Sequence, residues 1–178
     1  MPVALNWPSA TLTTSQPALG PAPYRSRGRG FRGVTSTPET APETAPEHEY
    51  LPEFLAAYQE CALWSTSDES DDYGGEPLDA NYGSSDFDAG TVASMRADCN
   101  AFLTAHSGLI DPAANRSRYG NAAQAGHDFW LSRNGHGAGF FDRGEVYGEA
   151  NADALQEHAR VCGEVYLYVT DAGEVAQA

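Results

Sequence analysis

His127-Asp-Phe-Trp-Leu-Ser-Arg133, Asn134-Gly135 and His136-Gly-Ala-Gly-Phe-Phe-Asp142 make up the stretch on which the fold reading turns. Apolar and polar residues alternate on both sides of Asn-Gly, the dipeptide that best tolerates the positive φ angles of a two-residue type I′ turn, so the spacing predicts a β-hairpin over 127–142. In that register Arg133 lies opposite His136, Leu131 opposite Ala138, Phe129 opposite Phe140 and His127 opposite Asp142, all on one face. Trp130 and Phe141 fall on the other face, with Gly139 leaving room for the indole.

Further along, Val165-Tyr-Leu-Tyr-Val-Thr170 repeats with period two and predicts a strand, with Val165, Leu167 and Val169 on one side and Tyr166 and Tyr168 on the other. Joined to the hairpin it gives an antiparallel sheet of about three strands with Trp130, Phe141, Tyr166 and Tyr168 on a shared aromatic face. Three or four helices are expected to pack on it, an α+β class. Leu51–Trp64 carries Leu51, Phe54, Leu55, Tyr58, Cys61 and Ala62 at helical spacing, with Pro52 in the first turn. Thr91–His106 repeats the pattern through Val92, Met95, Cys99, Phe102 and Leu103, with Asp88 or Thr91 as cap and Gly108 as stop. Weaker periodicity suggests helices over 112–125 and 151–162, the latter closed by Gly163.

Residues 1–49 hold most of the chain's prolines and almost no periodic apolar residues, so they are expected to form a disordered tail before one acidic domain over 50–178. Within the tail, Arg25, Arg27, Arg29 and Arg32 sit in a short Arg-Gly-rich segment of the kind that contacts single strands or RNA weakly, the other reading being a spacer. The remainder of the chain argues against nucleic acid. At 178 residues with ten arginines, no lysine, 25 acids and a formal charge of −15, it has no general electrostatic grip on duplex DNA or an anionic membrane. Its apolar runs fall far short of the roughly 18 residues a membrane span requires. No secretory or targeting pattern opens the chain, so the cytoplasm is the expected location.

Nine acids and no basic residue lie between Glu60 and Thr91. Asp68, Asp71, Asp72, Tyr73 and Tyr82 in that stretch, with Trp130, Tyr166 and Tyr168 from the expected aromatic face, are the candidate protein-binding residues. A partner protein that normally grips phosphates would meet carboxylates there, which is how a DNA mimic works. The enzymatic alternative places His127, Asp142, Arg133 and His136 on one hairpin face, the carboxylate orienting the imidazole and the guanidinium facing a developing anion, with no nucleophile fixed beside them. No cofactor is implied. No metal site is expected either: Asp68–Asp72 and Asp79–Gly83 miss the register of a calcium loop, the histidines lack helical ligand spacing, and three cysteines form no paired pattern.

Ala125-Gly-His-Asp-Phe-Trp-Leu-Ser-Arg-Asn-Gly-His-Gly-Ala-Gly-Phe-Phe-Asp-Arg-Gly144 resembles a segment of an uncharacterised small-protein family of tailed bacteriophages. Tyr58–Trp64, Glu76–Ala80 and Val165–Val169 extend the resemblance over residues 50–175. It implies a phage-encoded accessory protein acting on a host or phage protein in the infected cell, and transfers no catalytic residue.

Overall fold

The computed structural model describes residues 46–69 and 75–178. The expected tail, with Arg25, Arg27, Arg29 and Arg32, lies outside them, as do Asp71, Asp72 and Tyr73. Among the described residues the chain forms five α-helices and a two-stranded antiparallel sheet, an α+β arrangement. The helices are α1 (Leu51–Ser65), α2 (Ala89–Ile110), α3 (Asn121–Arg133), α4 (Gly144–Tyr147) and α5 (Glu149–Val161); the strands are β1 (Leu167–Val169) and β2 (Val175–Gln177).

The 127–142 hairpin does not form. Its first half is the carboxyl-terminal part of α3, which is buried on nearly every side: Ala125, Gly126, Asp128, Phe129, Trp130, Leu131, Ser132 and Arg133 are all enclosed. A helix buried all round has no polar stripe, so in a seven-residue run its pattern imitates the alternation of a strand. Asn134-Gly135 ends this helix instead of turning a hairpin. Gly135 has φ +69°, its N–H donates to Ser132 O at 3.5 Å, and His136 N–H donates to Leu131 O at 3.0 Å. This pair of bonds is a Schellman cap, which asks for the same positive φ as a type I′ turn.

The second half of the expected hairpin wraps back over α3. Ser132 Oγ donates to Gln156 Oε1 (2.7 Å) and accepts from Phe140 N–H (3.0 Å), while Phe141 N–H reaches the same Gln156 oxygen (3.3 Å). Phe140–Asp142 is thereby a single 3₁₀ turn pinned between α3 and α5. Trp130 is in the core, its Nε1 donating to Ser65 Oγ at 2.8 Å, and so is not part of an aromatic sheet face.

The other helices follow their apolar periodicity. α1 buries Leu51, Phe54, Leu55, Tyr58, Cys61, Ala62 and Leu63. It crosses α3 so closely that a Cβ on Gly126 would stand 2.0 Å from Phe54 O. Phe54, Phe102, Phe129 and Phe140 form the aromatic centre, with the Phe102 and Phe129 rings stacked at 4.0 Å. Asp88 caps α2 by accepting from Gly90 N–H (2.8 Å) and Thr91 N–H (3.2 Å), and from the Thr91 hydroxyl. The helix passes through Gly108 and ends at Asp111, which adopts the left-handed region at φ 48°. The helix expected over 112–125 begins only at Asn121, whose buried side chain donates to Ile110 O and Asp111 O and ties the preceding loop to the end of α2. Residues placed in the tail by composition are also bound to α2: Glu47 pairs with Arg96 at 2.7 Å and His48 N–H donates to Asn100 Oδ1 at 2.8 Å.

β1 pairs with β2, a strand that the sequence reading does not contain, in the register Leu167↔Gln177, Tyr168↔Ala176 and Val169↔Val175. The far side of β2 is closed by Asp88 N–H on Val175 O (3.0 Å) and by Gln177 N–H on Thr91 Oγ1 (2.9 Å).

Candidate functional site

Beyond α1 the chain runs extended and then doubles back. Ser67 bridges Pro77, Asp68 N–H donates to Glu76 O (2.8 Å), and Leu78 N–H donates to Thr66 O (2.9 Å). This return holds Asp68 and Glu69 beside β1, and Leu78, which is buried, sits beneath them. Tyr166 Oη donates to Glu69 Oε2 at 3.1 Å. The acidic segment and the tyrosine strand, 97 residues apart in sequence, therefore share one surface. The carboxylate accepting its proton pushes the Tyr166 phenol above its ordinary pKa.

Two clefts flank Tyr168. One, of about 140 Å³, lies between β1 and the Ser67–Glu69 segment over Leu78. The other, of about 510 Å³, is lined by Asp88, Thr91, Tyr168, Thr170, Glu174 and Gln177. Tyr166 and Tyr168 remain 56% and 42% exposed, large aromatic surfaces beside carboxylates on both sides. Tyr82 stands apart from this pair: half-buried, it lines a third cleft of about 390 Å³ with Glu60 and Asp79.

The structure does not assemble the four residues of the catalytic alternative. His127 lies on the outer side of α3, its ring stacked on Trp64 and its Nε2 accepting from the indole N–H at 3.1 Å. Partial burial lowers its pKa. Arg133 points the other way into the core. Its Nε donates to Gly163 O (2.8 Å), and its two terminal nitrogens reach Tyr58 Oη (2.9 Å), Asp98 Oδ2 (3.0 Å) and Cys162 O (3.2 Å). With its side chain 4% exposed, it is a clamp on the end of α5 and has no open face toward a substrate. Asp142 accepts from Gly139 N–H (3.1 Å) and pairs with Arg143 (3.2 Å), and His136 sits half-buried after the α3 cap. The face that was to join them belongs to the hairpin that is absent.

A polar cluster that sequence reasoning missed surrounds Asp128 in the interior. Its carboxylate accepts from Tyr147 Oη (2.9 Å) and Gln124 Nε2 (3.1 Å) and lies 3.7 Å from Arg143 Nε. Burial pushes its pKa up to about 6, against the opposing influence of those hydrogen bonds and of Arg143. Burial, the Asp128 charge and the hydrogen bond to it likewise push the Tyr147 phenol up. Gln124 and Asp128 are four residues apart, a helical spacing invisible once the stretch is read as a strand.

No helix among the described residues is long and apolar enough to cross a membrane. Compared with protein-family models, with curated proteins and with solved structures, the chain matches none.

Proposed function

We propose that the chain acts by binding a basic protein partner through the surface formed by Asp68, Glu69, Tyr166 and Tyr168, as a phage-encoded accessory protein in an infected bacterium. The observation that carries this reading is the Tyr166–Glu69 contact, which puts two exposed tyrosines in the acidic field. Tyrosine gives an interface rigid, amphipathic area at low entropic cost, and carboxylates around it select a positive partner and speed its approach. The described arginines do little to blunt that field here. Of the six described arginines, Arg96, Arg116, Arg133 and Arg143 are paired with Glu47, Asp111, Asp98 and Asp128 or Asp142, and even with Arg118 and Arg160 counted the acids stay in large excess in a −15 chain. A DNA-binding groove of a host protein is the kind of positive surface that suits it, the acids standing where phosphates would lie. The phage origin rests on the resemblance of the 125–144 segment.

The test is a titration. The full-length chain is used to retain a partner from bacterial lysate, and the purified partner is then titrated with wild type and with the Glu69→Gln, Tyr166→Ala, Tyr168→Ala triple variant. At least tenfold weaker binding by the variant, with affinity falling as salt rises, is expected. A partner bound equally by both proteins, or none retained by folded bait, contradicts the reading.

A further inference from the structure

We propose that β1 is a receptor edge: the slot between Leu167–Val169 and the Ser67–Glu69 segment takes an extended, basic segment of the partner as an added strand. This rests on the binding surface proposed above and specifies how it is used.

The argument starts from the hydrogen-bond parity of the sheet. Thr170 N–H donates to Glu174 O (2.8 Å) and Ala178 N–H to Tyr166 O (3.0 Å), so the even-numbered residues of this strand turn their backbone groups toward β2. The odd-numbered residues must turn theirs outward. Along that outer edge Gly163 O is taken by Arg133, and Val165 N–H by Asn134 Oδ1 at 2.8 Å. The next two outward positions, Leu167 and Val169, have no backbone partner among the described residues. They are the positions that border the 140 Å³ slot. β2's far edge is closed, so among the described residues β1 is the edge of this sheet left to pair.

A strand laid there meets two different walls. Side chains on the side of Leu167 approach Leu78 and the core, and want to be apolar. Those on the opposite side pass Tyr166, Tyr168 and Glu69, where a guanidinium or ammonium finds a carboxylate and the face of a ring. The occupant is therefore a segment in which apolar and basic residues alternate. Its main chain supplies affinity through the ladder, and its side chains supply selectivity.

Three synthetic peptides test this against ¹⁵N-labelled full-length chain: acetyl-Arg-Val-Arg-Val-Arg-amide, the same peptide N-methylated at both valines, and the same peptide N-methylated at two arginines. N-methylation deletes backbone donors while keeping every charge. Strand addition requires slowed amide exchange at Leu167 and Val169 with the parent peptide, and at least tenfold weaker binding by one or both methylated forms. Val169→Pro, which removes an outward N–H without touching the β1–β2 ladder, should weaken the parent peptide similarly. If all three peptides bind alike and shift only Tyr166, Tyr168 and Glu69, strand addition is overturned while the acidic surface stands. If none perturbs either set, the inference is overturned, and the surface is judged by the partner titration alone. A concentration-dependent dimer formed without peptide and blocked by Val169→Pro would assign the edge to a second copy, which also overturns it.

Discussion

Arg133 shows how one residue's role depends on the element that carries it. On a hairpin it would stand beside His136 with its charge free for a substrate, but at the end of α3 it spans Tyr58, Asp98 and the Cys162 and Gly163 carbonyls just after α5. Replacing it with alanine strands the buried Tyr58 hydroxyl and takes the donor from the part-buried Cys162 and Gly163 carbonyls. The expected cost is about 3 kcal/mol, read as a lower urea midpoint, and Arg133→Lys should recover less than half of it because an ammonium cannot reproduce the guanidinium fork. Asp128 makes a second prediction at this scale. Its folded-state pKa of about 6 lies above the roughly 3.9 expected of an unfolded aspartate. Stability associated with the neutral carboxyl is thus fully present below about pH 4 and is lost as pH rises through about 6. Compared with Asp128→Asn, the wild type should lose about 2 to 3 kcal/mol of relative stability between pH 4 and pH 8. Parallel stability–pH profiles for the two proteins would contradict the assignment.

At the scale of elements, α1, α2 and α5 were legible because one face of each is exposed, so the apolar period stands out against polar residues. α3 was not, since its surroundings bury Asp128, Ser132 and Arg133 along with its apolar side chains, and the polar positions stopped marking an outside. Asn134-Gly135 could not arbitrate, as a Schellman cap and a type I′ turn both need positive φ at glycine. β1 falls within the strand that the period over 165–170 predicts, whereas Val175-Ala-Gln177 is too short for β2 to show a period. Two glycines test this account. Gly135→Ala forces a Cβ into the left-handed region and should cost about 1 to 2 kcal/mol. Gly126→Ala drives a Cβ into the Phe54 carbonyl and should cost about 3 kcal/mol by prising α1 from α3. If 127–142 were a hairpin, Gly126 would only close the preceding helix and Gly126→Ala would cost no more than Gly135→Ala, which is strained in either arrangement, so a clearly larger loss at Gly126 in urea unfolding separates helix from strand.

At the scale of the whole molecule, charge and topology act together. The acids of the 60–91 stretch were legible as a negative field and Tyr166 and Tyr168 as a face, yet nothing in the sequence said that the two meet. Their meeting depends on the Ser67–Pro77 return and on the β1–β2 pairing, both long-range outcomes of the fold. Of the expected aromatic face, Tyr166 and Tyr168 are exposed, Phe141 is exposed on the 3₁₀ turn, and Trp130 is in the core. The claim that binding runs through the acidic tyrosine surface is tested most directly by an amide-exchange footprint of the full-length chain with its purified partner bound. The account predicts slowed exchange concentrated at 66–69 and 165–177, with the exposed faces of α5 and of the Trp64–His127 stack unchanged. Protection centred on that stack or on α5, with 66–69 and 165–177 exchanging as in the free chain, would contradict it.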